Sequence, residues 1–484
     1  MTAATATVPS GLRLPPGDHI FIDNEWVLSS GTEWIDVINP ATEESVSRVI
    51  RGTAEDVDLA VMTAARAFPA WSQTTVEERA AAIRRLADTL ESKADDLTRL
   101  VVSEVGQPIR FAVGSQTAVA VADLRNFADA LAAVQWEEVA DNFVVRREPV
   151  GVVGAIAAWN GPIRSVCLKA GAAMAAGCTV IVKPSEVAPL SAYVIAQTMA
   201  EVGIPAGVFN LVSGIGPEVG EALASHPRVD LVSLTGSVRA GSRVMELASK
   251  SITRVALELG GKSANLILDD ADLEQAVNEG IDDAFRNAGQ VCGGLSRMLV
   301  PRARLAEAET LAVDKARSFV IGDPLDAATT MGPVISSRQR ERIRGYIRSA
   351  QDDGVRLLTG GADAPDGVDR GYYVQPTIFS GTNADRLARE EIFGPVLIII
   401  PFDGEDDGVA IANDSDYGLG GAVWSASPER ARDVARRVRT GRIRINGTPI
   451  NMKAPHGGFK FSGIGREMGR YGIEEYLEYK SIIG

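Results

Sequence analysis

Along the chain the hydrophobic pattern changes character three times. Thr75 to Glu78 reads as a capping box, and "VEERAAAIRRLADTLESKADDLTRLVVSEVG" then keeps apolar residues at helical spacing as far as Gly106, which predicts one long helix. From residue 150 apolar runs ("GVVGAIAAW", "CTVIVKP", "GVFNLVSG", "VDLVSLTGS") alternate with helical stretches, the pattern of a parallel sheet with helices on both faces. A second series ("SANLILDD", "PVLIIIPFD", "GGAVWS", "RIRIN") is separated by helices such as "PERARDVARRVRT" and predicts another α/β unit from residue 260 onward. Two segments have no home in either sheet. "VQWEEVADNFVVRREPVG" reads as a hairpin turning at Asp141-Asn142, and "IEEYLEYKSIIG" alternates bulky residues as one more strand. Such unhoused strands are expected to join across a subunit contact.

The 484 residues, 45% of them hydrophobic, supply core for two or three domains. A formal net charge of -14 disfavours nucleic acid and anionic membrane as partners and favours a small-molecule role. Residues 1–26 hold no apolar run like that of a signal peptide, and no stretch has the length of a membrane span, so a cytoplasmic location is expected. The three cysteines, Cys167, Cys178 and Cys292, are too few for a disulfide framework. The three histidines, His19, His226 and His456, are too scattered for a metal site, and no metal is expected.

Glycine-bearing turns offer two places for a nucleotide. "SGIGPEVG" presents Gly214, Gly216 and Gly220 with one residue more than the dinucleotide fingerprint, which is a weak signal. In "LTGSVRAGSRV", Gly236 and Ser237 follow an apolar run and open a helix, so they could hold a pyrophosphate or simply cap that helix. Lys183 and Glu186, in "VIVKPSEVAP", stand at the carboxyl edge of a strand, where a lysine and a carboxylate can grip ribose hydroxyls. A carboxylate there repels a 2′-phosphate, which favours NAD over NADP. Three further stretches, "AAWNGP" with Asn160, "ALELGGK" with Glu258 and "NAGQVCGGLSR" with Cys292, contribute an amide donor, a carboxylate and a thiol. Together these could perform acyl chemistry; separately each reads as a turn former, a solvated acid and a packed thiol.

The stretches "WNGP", "AAGCTVIVKPSE", "LTGS", "LELGGK", "GQVC", "EEIFGPV" and "GGFKFSGIGRE", in this order, resemble the NAD(P)-dependent aldehyde dehydrogenase family across nearly the whole chain. The resemblance implies an α/β fold of two doubly wound parallel-sheet domains with a small β oligomerisation element. The NAD-binding domain would take residues 1–130 and 150–259, and the catalytic domain 260–447. The oligomerisation element would take 131–149 and 468–484, with 448–467 returning to the cofactor and substrate region. It further implies Cys292 as nucleophile, Glu258 as general base, Asn160 as oxyanion donor, and Lys169 with Glu467 as a proton-passing pair. Lys183, Glu186, Gly216, Gly236, Ser237, Trp159, Gly260, Glu391 and Phe393 would lie along NAD. The activity implied is oxidation of an aldehyde to the acid through a thioester, in a homodimer or homotetramer. Gly161 and His456 stand where many members carry aromatic rings, and Leu168 and Ile450 at two further wall positions. With Gly293 and Gly294 beside the thiol, the expectation is a roomy, aliphatic tunnel with one titratable group, suited to a bulky or extended hydrophobic aldehyde. The competing readings are a thiol esterase and a catalytically retired member acting as a binding protein.

Overall fold

The computed structural model describes residue 12 and residues 14–484; the N-terminal stretch read for a signal segment lies partly outside the described residues. The four apolar runs after residue 150 form the strands Val152–Ile156, Thr179–Lys183, Phe209–Leu211 and Leu231–Thr235. With Arg254–Glu258 they make the parallel centre of an eight-stranded sheet. Val152–Ile156 lies in the middle of the order, with Thr179–Lys183 on one side and Leu231–Thr235 on the other. The chain leaves Val152–Ile156 toward Thr179–Lys183 and leaves its neighbour Leu231–Thr235 the other way, toward Arg254–Glu258, which opens a crevice between their carboxyl ends. These strands read as continuous apolar runs because both faces are covered. Helices Val76–Ser92, Thr117–Ala130, Pro162–Ala176 and Leu190–Glu201 bury one face, and Ala54–Ser72 with Val238–Ala248 bury the other.

The second sheet runs Arg356–Thr359, Thr377–Ser380, Val396–Phe402, Arg297–Pro301, Ala264–Ile267, Gly420–Trp424, Arg442–Ile445, and all but the first pair are parallel. The first sheet is antiparallel at both rims and the second at one, since its other edge strand, Arg442–Ile445, pairs parallel. On the first, the rim is the hairpin His19–Ile22 with Glu25–Leu28 on one side and the short strand Gly463–Ile464 on the other. The latter pairs beside Arg254–Glu258, matching Leu257 with Ile464 and Glu258 with Gly463, after the chain has traversed the whole second sheet.

Two expectations change. The long helix is two, Val76–Ser92 and Ala94–Val105. Its start is the expected capping box, with Thr75 and Glu78 exchanging side-chain and backbone bonds, and its end is Gly106 at φ 80. Lys93 breaks it, and its ammonium reaches Thr198 and Glu201 on a neighbouring helix, so tertiary contact overrides a local pattern that keeps its phase through the break. The unhoused strands find each other within one chain. Phe143–Pro149 lies between Glu137–Ala140 and Leu477–Ile483 in a separate three-stranded sheet, with Asp141 at the turn at φ 44. No helix among the described residues is long and apolar enough to cross a membrane.

Candidate active site

Cys292 is delivered by a backbone reversal that costs conformational energy. After the helix Leu273–Phe285, Asn287 (φ 51), Ala288 (φ 52) and Gly289 (φ 72) occupy the left-handed region in succession, which non-glycine residues adopt only when surroundings compel it. The Gln290 side chain supplies the compulsion: its amide donates to the Asn287 carbonyl at 3.0 Å, and its Oε1 accepts the Ile335 N–H at 2.9 Å. Gly289 lies so close to Gly394 that a Cβ would overlap the Gly394 carbonyl. The chain is thereby turned sharply before the strand Arg297–Pro301, and Cys292 sits in the turn between.

The other two motifs meet this loop. Asn160 lies just past the carboxyl end of Val152–Ile156, before Pro162 opens a helix, and its Nδ2 donates to the Gln290 carbonyl at 2.9 Å. One amide hydrogen is used there and the second remains for another acceptor. The Asn160 carbonyl accepts from Gln116 at 3.3 Å and Asn287 at 3.5 Å, which fixes the turn. Gly261, three residues beyond Glu258, lies against the Cys292 carbonyl, 2.6 Å from where its own Cβ would stand.

Of the three free cysteines, Cys167 and Cys178 are buried and only Cys292 is partly exposed. Burial, then the nearby charges of Glu391 and Glu258, push the Cys292 thiol up to about 11, with Arg442 and Arg164 opposing. In this state the thiol is protonated at neutral pH. Alkylation of Cys292 by iodoacetamide in the cofactor-free protein should therefore rise roughly tenfold per pH unit from neutrality to above pH 9, because only the thiolate reacts. A rate already flat below pH 8, read by mass spectrometry, would contradict this.

Glu258 ends the strand Arg254–Glu258 with both carboxylate oxygens buried and, among the described residues, without a hydrogen-bond partner. Its Oε1 packs beside Gly457, where a Cβ would approach to 2.8 Å, and its Oε2 lies 3.8 Å from His456 Nε2. Next to it, Lys169 Nζ donates to Glu467 at 2.8 Å and to the Ser233 hydroxyl at 3.0 Å. Burial, and then the Glu467 charge, raise Glu258 well above the usual carboxylate range. Burial also disfavours ionised Glu467, but the charge and hydrogen bond of Lys169 outweigh it and hold that group low. Burial, with Arg442 adding to it, takes His456 down to about 4, so its imidazole is neutral beside the acid.

At the carboxyl edge of the first sheet, Lys183 and Glu186 bond each other at 2.9 Å. Burial works against the Glu186 charge, but Lys183 outweighs it and keeps the carboxyl below its ordinary range. Among the described residues, chain neighbours aside, no heavy atom lies within 4 Å of the position a Gly216 Cβ would take, so the backbone there is open to close approach. Ser237 caps the helix Val238–Ala248 by accepting the Ala240 N–H at 3.2 Å, leaving the first backbone amides of that helix, beside Gly236, to meet an anion. Trp159 and Phe393 meet edge to face at 5.3 Å. Glu391 accepts the Gly261 N–H at 3.1 Å, and its carboxylate fills the place a Gly260 Cβ would need; burial pushes it up to about 7. A carboxylate–lysine pair, an open glycine and a helix start along one sheet edge are the groups an adenine dinucleotide requires.

The substrate side departs from the aliphatic expectation. Gly161 faces the Gln116 side chain, whose buried Oε1 has no partner. Leu168 is only 7% exposed and belongs chiefly to the helical core, whereas Ile450 is half-buried on the loop after Arg442–Ile445. Gly294 leaves no gap, since the Val291 carbonyl stands 3.2 Å from its Cβ position, and the space at Gly293 is met by the Arg442 guanidinium. His456 is thus not the single titratable group. Arg164, one helical turn before Leu168, also reaches the region while paired with buried Asp123 at 2.8 Å. Arg164 and Arg442 were not singled out from the sequence. The signal for Arg442 was present in "RIRIN", where period-two alternation puts two arginines on one face of a strand.

A half-buried thiol, a buried carboxyl and an amide donor thus stand together beside a sheet edge that can hold a dinucleotide. A family model described as "Aldehyde dehydrogenase family" matches residues 26–482. The 3-succinoylsemialdehyde-pyridine dehydrogenase of a Pseudomonas species is 48% identical, over 96% of this chain and 98% of its own. A cysteine-to-alanine variant of aldehyde dehydrogenase C from Pseudomonas syringae, solved with NAD+ and octanal, superposes with TM-score 0.96 at 44% identity, covering 97% of this chain and 98% of that one. Betaine aldehyde dehydrogenase from Staphylococcus aureus, solved with NAD+, gives TM-score 0.94 at 38% identity over 97% and 95% of the chains. The chain belongs to the aldehyde dehydrogenase family, and it is an oxidoreductase acting on the aldehyde group.

Proposed function

We propose that this protein oxidises a bulky or extended aldehyde to its carboxylic acid with NAD, through a thioester on Cys292. The observation that carries this reading is the convergence of the Asn160 amide and the Cys292 loop beside a buried Glu258 that has no hydrogen-bond partner. In the mechanism, the thiolate attacks the aldehyde carbonyl, and the oxyanion is held by the remaining Asn160 amide hydrogen and the Cys292 backbone N–H, where charge develops and donors count most. Bound NAD supplies the hydride acceptor that turns this adduct into a thioester. Lys183 and Glu186 would hold its ribose, Gly216, Gly236 and Ser237 its phosphates, and Trp159, Gly260, Glu391 and Phe393 its nicotinamide end. Glu258 then takes a proton from water as that water attacks the thioester, and a carboxylate of raised basicity suits the task. Glu467, bonded to Lys169, would relay that proton onward.

Support for a large substrate comes from Gly161, where a ring carried by many members is replaced by a hydrogen and a Cβ would meet nothing nearer than the Gln116 side chain at 4.0 Å, and from the relatives named for a pyridine semialdehyde and solved with octanal. NADH formation across a panel of aldehydes tests the reading. Long-chain or ring-bearing aldehydes should exceed acetaldehyde in kcat/KM by about tenfold or more, the scale of one or two buried methylenes. In parallel, NAD should exceed NADP by a similar factor, because a 2′-phosphate would meet the ionised Glu186. Acetaldehyde equal to the best substrate would sink the size argument, and equal use of NADP would overturn the role of Glu186.

The three-stranded sheet supports a homodimer or homotetramer. Its two outer strands leave unpaired edges, and Val139 (78% exposed), Ile482 and Ile483 lie open on them, a surface that an isolated chain would leave liable to association. Sedimentation as a monomer at micromolar concentration would refute this. A thiol esterase is less well supported: His456 is held neutral next to Glu258 rather than bonded to the thiol, and the dinucleotide groups would have no use.

A further inference from the structure

The strand Arg442–Ile445 closes the second sheet, and alternation places Arg442 and Arg444 on one face of it. Arg444 has a counterion in Asp283 at 3.1 Å, a carboxylate that also accepts the Leu295 N–H at 3.2 Å and lies 3.7 Å from Arg286. Arg442 has none. Among the described residues its guanidinium makes no ion pair and donates no hydrogen bond, although burial is the main influence on it. Its Nη2 lies 3.5 Å from the Cβ position of Gly293, the residue after the thiol. Arg164, the other cation near the thiol, is already neutralised by Asp123. A half-buried guanidinium presents five donors in a planar fork, and none of the Arg442 nitrogens is sealed from solvent, so a ligand oxygen can take the place of the water that meets them.

We propose that Arg442 is a substrate-binding residue that donates hydrogen bonds to a second oxygen of the aldehyde, a carboxylate or ketone held within a few bonds of the aldehyde carbon. The short reach follows from position, since neighbouring Cα atoms are about 3.8 Å apart and the guanidinium abuts the residue next to Cys292. A carboxylate would take two parallel bonds from the fork and a ketone one. The substrate class is thus the semialdehydes and oxo-aldehydes rather than simple alkanals, the remainder of the molecule extending toward Gly161. This rests on Cys292 being the nucleophile. An arginine that merely stabilised the thiolate, or the strand, would act on every aldehyde alike, whereas a substrate anchor changes the ratio between aldehydes with and without the second oxygen.

The test compares kcat/KM for pentanal, levulinic aldehyde and succinic semialdehyde, similar in length and differing in the second oxygen, with the wild type, Arg442→Met and Arg442→Lys. In the wild type at least one oxygen-bearing aldehyde should exceed pentanal by on the order of ten- to a hundredfold, the effect of a hydrogen bond to a charged group. Arg442→Met should remove that preference, mainly through KM. Arg442→Lys should restore part of it for the carboxylate, with stronger salt dependence, and little for the ketone. Which aldehyde leads identifies the second oxygen. The proposal is overturned if pentanal matches or exceeds both in the wild type, a result that needs no variant to fold, or if Arg442→Met lowers all three by one factor. No NADH from any of the three while a larger aldehyde is turned over would overturn this proposal and leave the nucleophile reading intact, whereas NADH formation that persists in Cys292→Ala would remove both.

Discussion

Replacing Cys292 with alanine is expected to abolish aldehyde-dependent NADH formation, a loss on the order of a millionfold, the scale on which removal of a covalent nucleophile acts. No other thiol can substitute. Cys167 and Cys178 are fully buried, and burial drives both well above the ordinary thiol range. The loop geometry should survive the change, because it is held by Gln290, Asn160 and the Gly289–Gly394 packing rather than by the thiol itself. Unchanged thermal unfolding beside lost activity would therefore assign the loss to chemistry. Mass spectrometry after mixing with aldehyde and NAD should find an acyl adduct on the wild type and none on the variant. Persisting NADH formation would reject Cys292 as the nucleophile.

Glu258→Gln should behave differently in kind. In the proposed mechanism its carboxylate is needed only to activate the water that hydrolyses the thioester, so the first turnover should survive as a burst of up to one NADH per site. The steady state should fall by about 10²- to 10⁴-fold, the usual worth of a positioned general base. A missing burst with an equal fall in both phases would move Glu258 to an earlier step. The wild-type pH profile carries the matching signature. Glu258 must be ionised to act, and burial with the Glu467 charge raises it well above the usual carboxylate range. Activity should thus be lost as pH falls through that raised value, at a higher pH than an ordinary glutamate would give. Glu467→Gln removes the neighbouring negative charge and should shift that acid limb downward.

Much of this arrangement was legible in the chain because it depends on local signals. Apolar runs at one-helix intervals marked four of the eight strands of the first sheet and four of the seven of the second, and the capping box at Thr75 and the stop at Gly106 marked helix ends. The motifs at Asn160, Glu258 and Cys292 were visible as residue types, and only the resemblance joined them, since no spacing rule links groups so distant in sequence. Long-range features stayed hidden. The break at Lys93 depends on a partner helix, and the strand Arg254–Glu258 was obscured by the glycine turn that follows it. The glycines after Cys292 suggested empty space, yet an arginine from a remote strand occupies what Gly293 leaves, and a carbonyl closes on Gly294. Whether a gap beside a small residue is open is decided by what other elements bring to it, and sequence proximity carries no record of that.

The short strand Gly463–Ile464 also bears on how the molecule assembles. Residues 257 and 464 are neighbours, so the first sheet gains its last strand only when nearly the entire chain is available. The proposed general base stands at that seam, with Gly463 beside Glu258 in the sheet and Gly457 against its carboxyl. Closing so large a loop is slow compared with local helix formation. During synthesis the nucleotide-binding strands can pair early, but the base cannot be walled in until the C-terminal segment has threaded back. A ribosome-bound or C-terminally truncated chain would therefore hold its thiol and carboxylate in an unfinished cleft, and catalytic competence would arrive as one of the last events of folding.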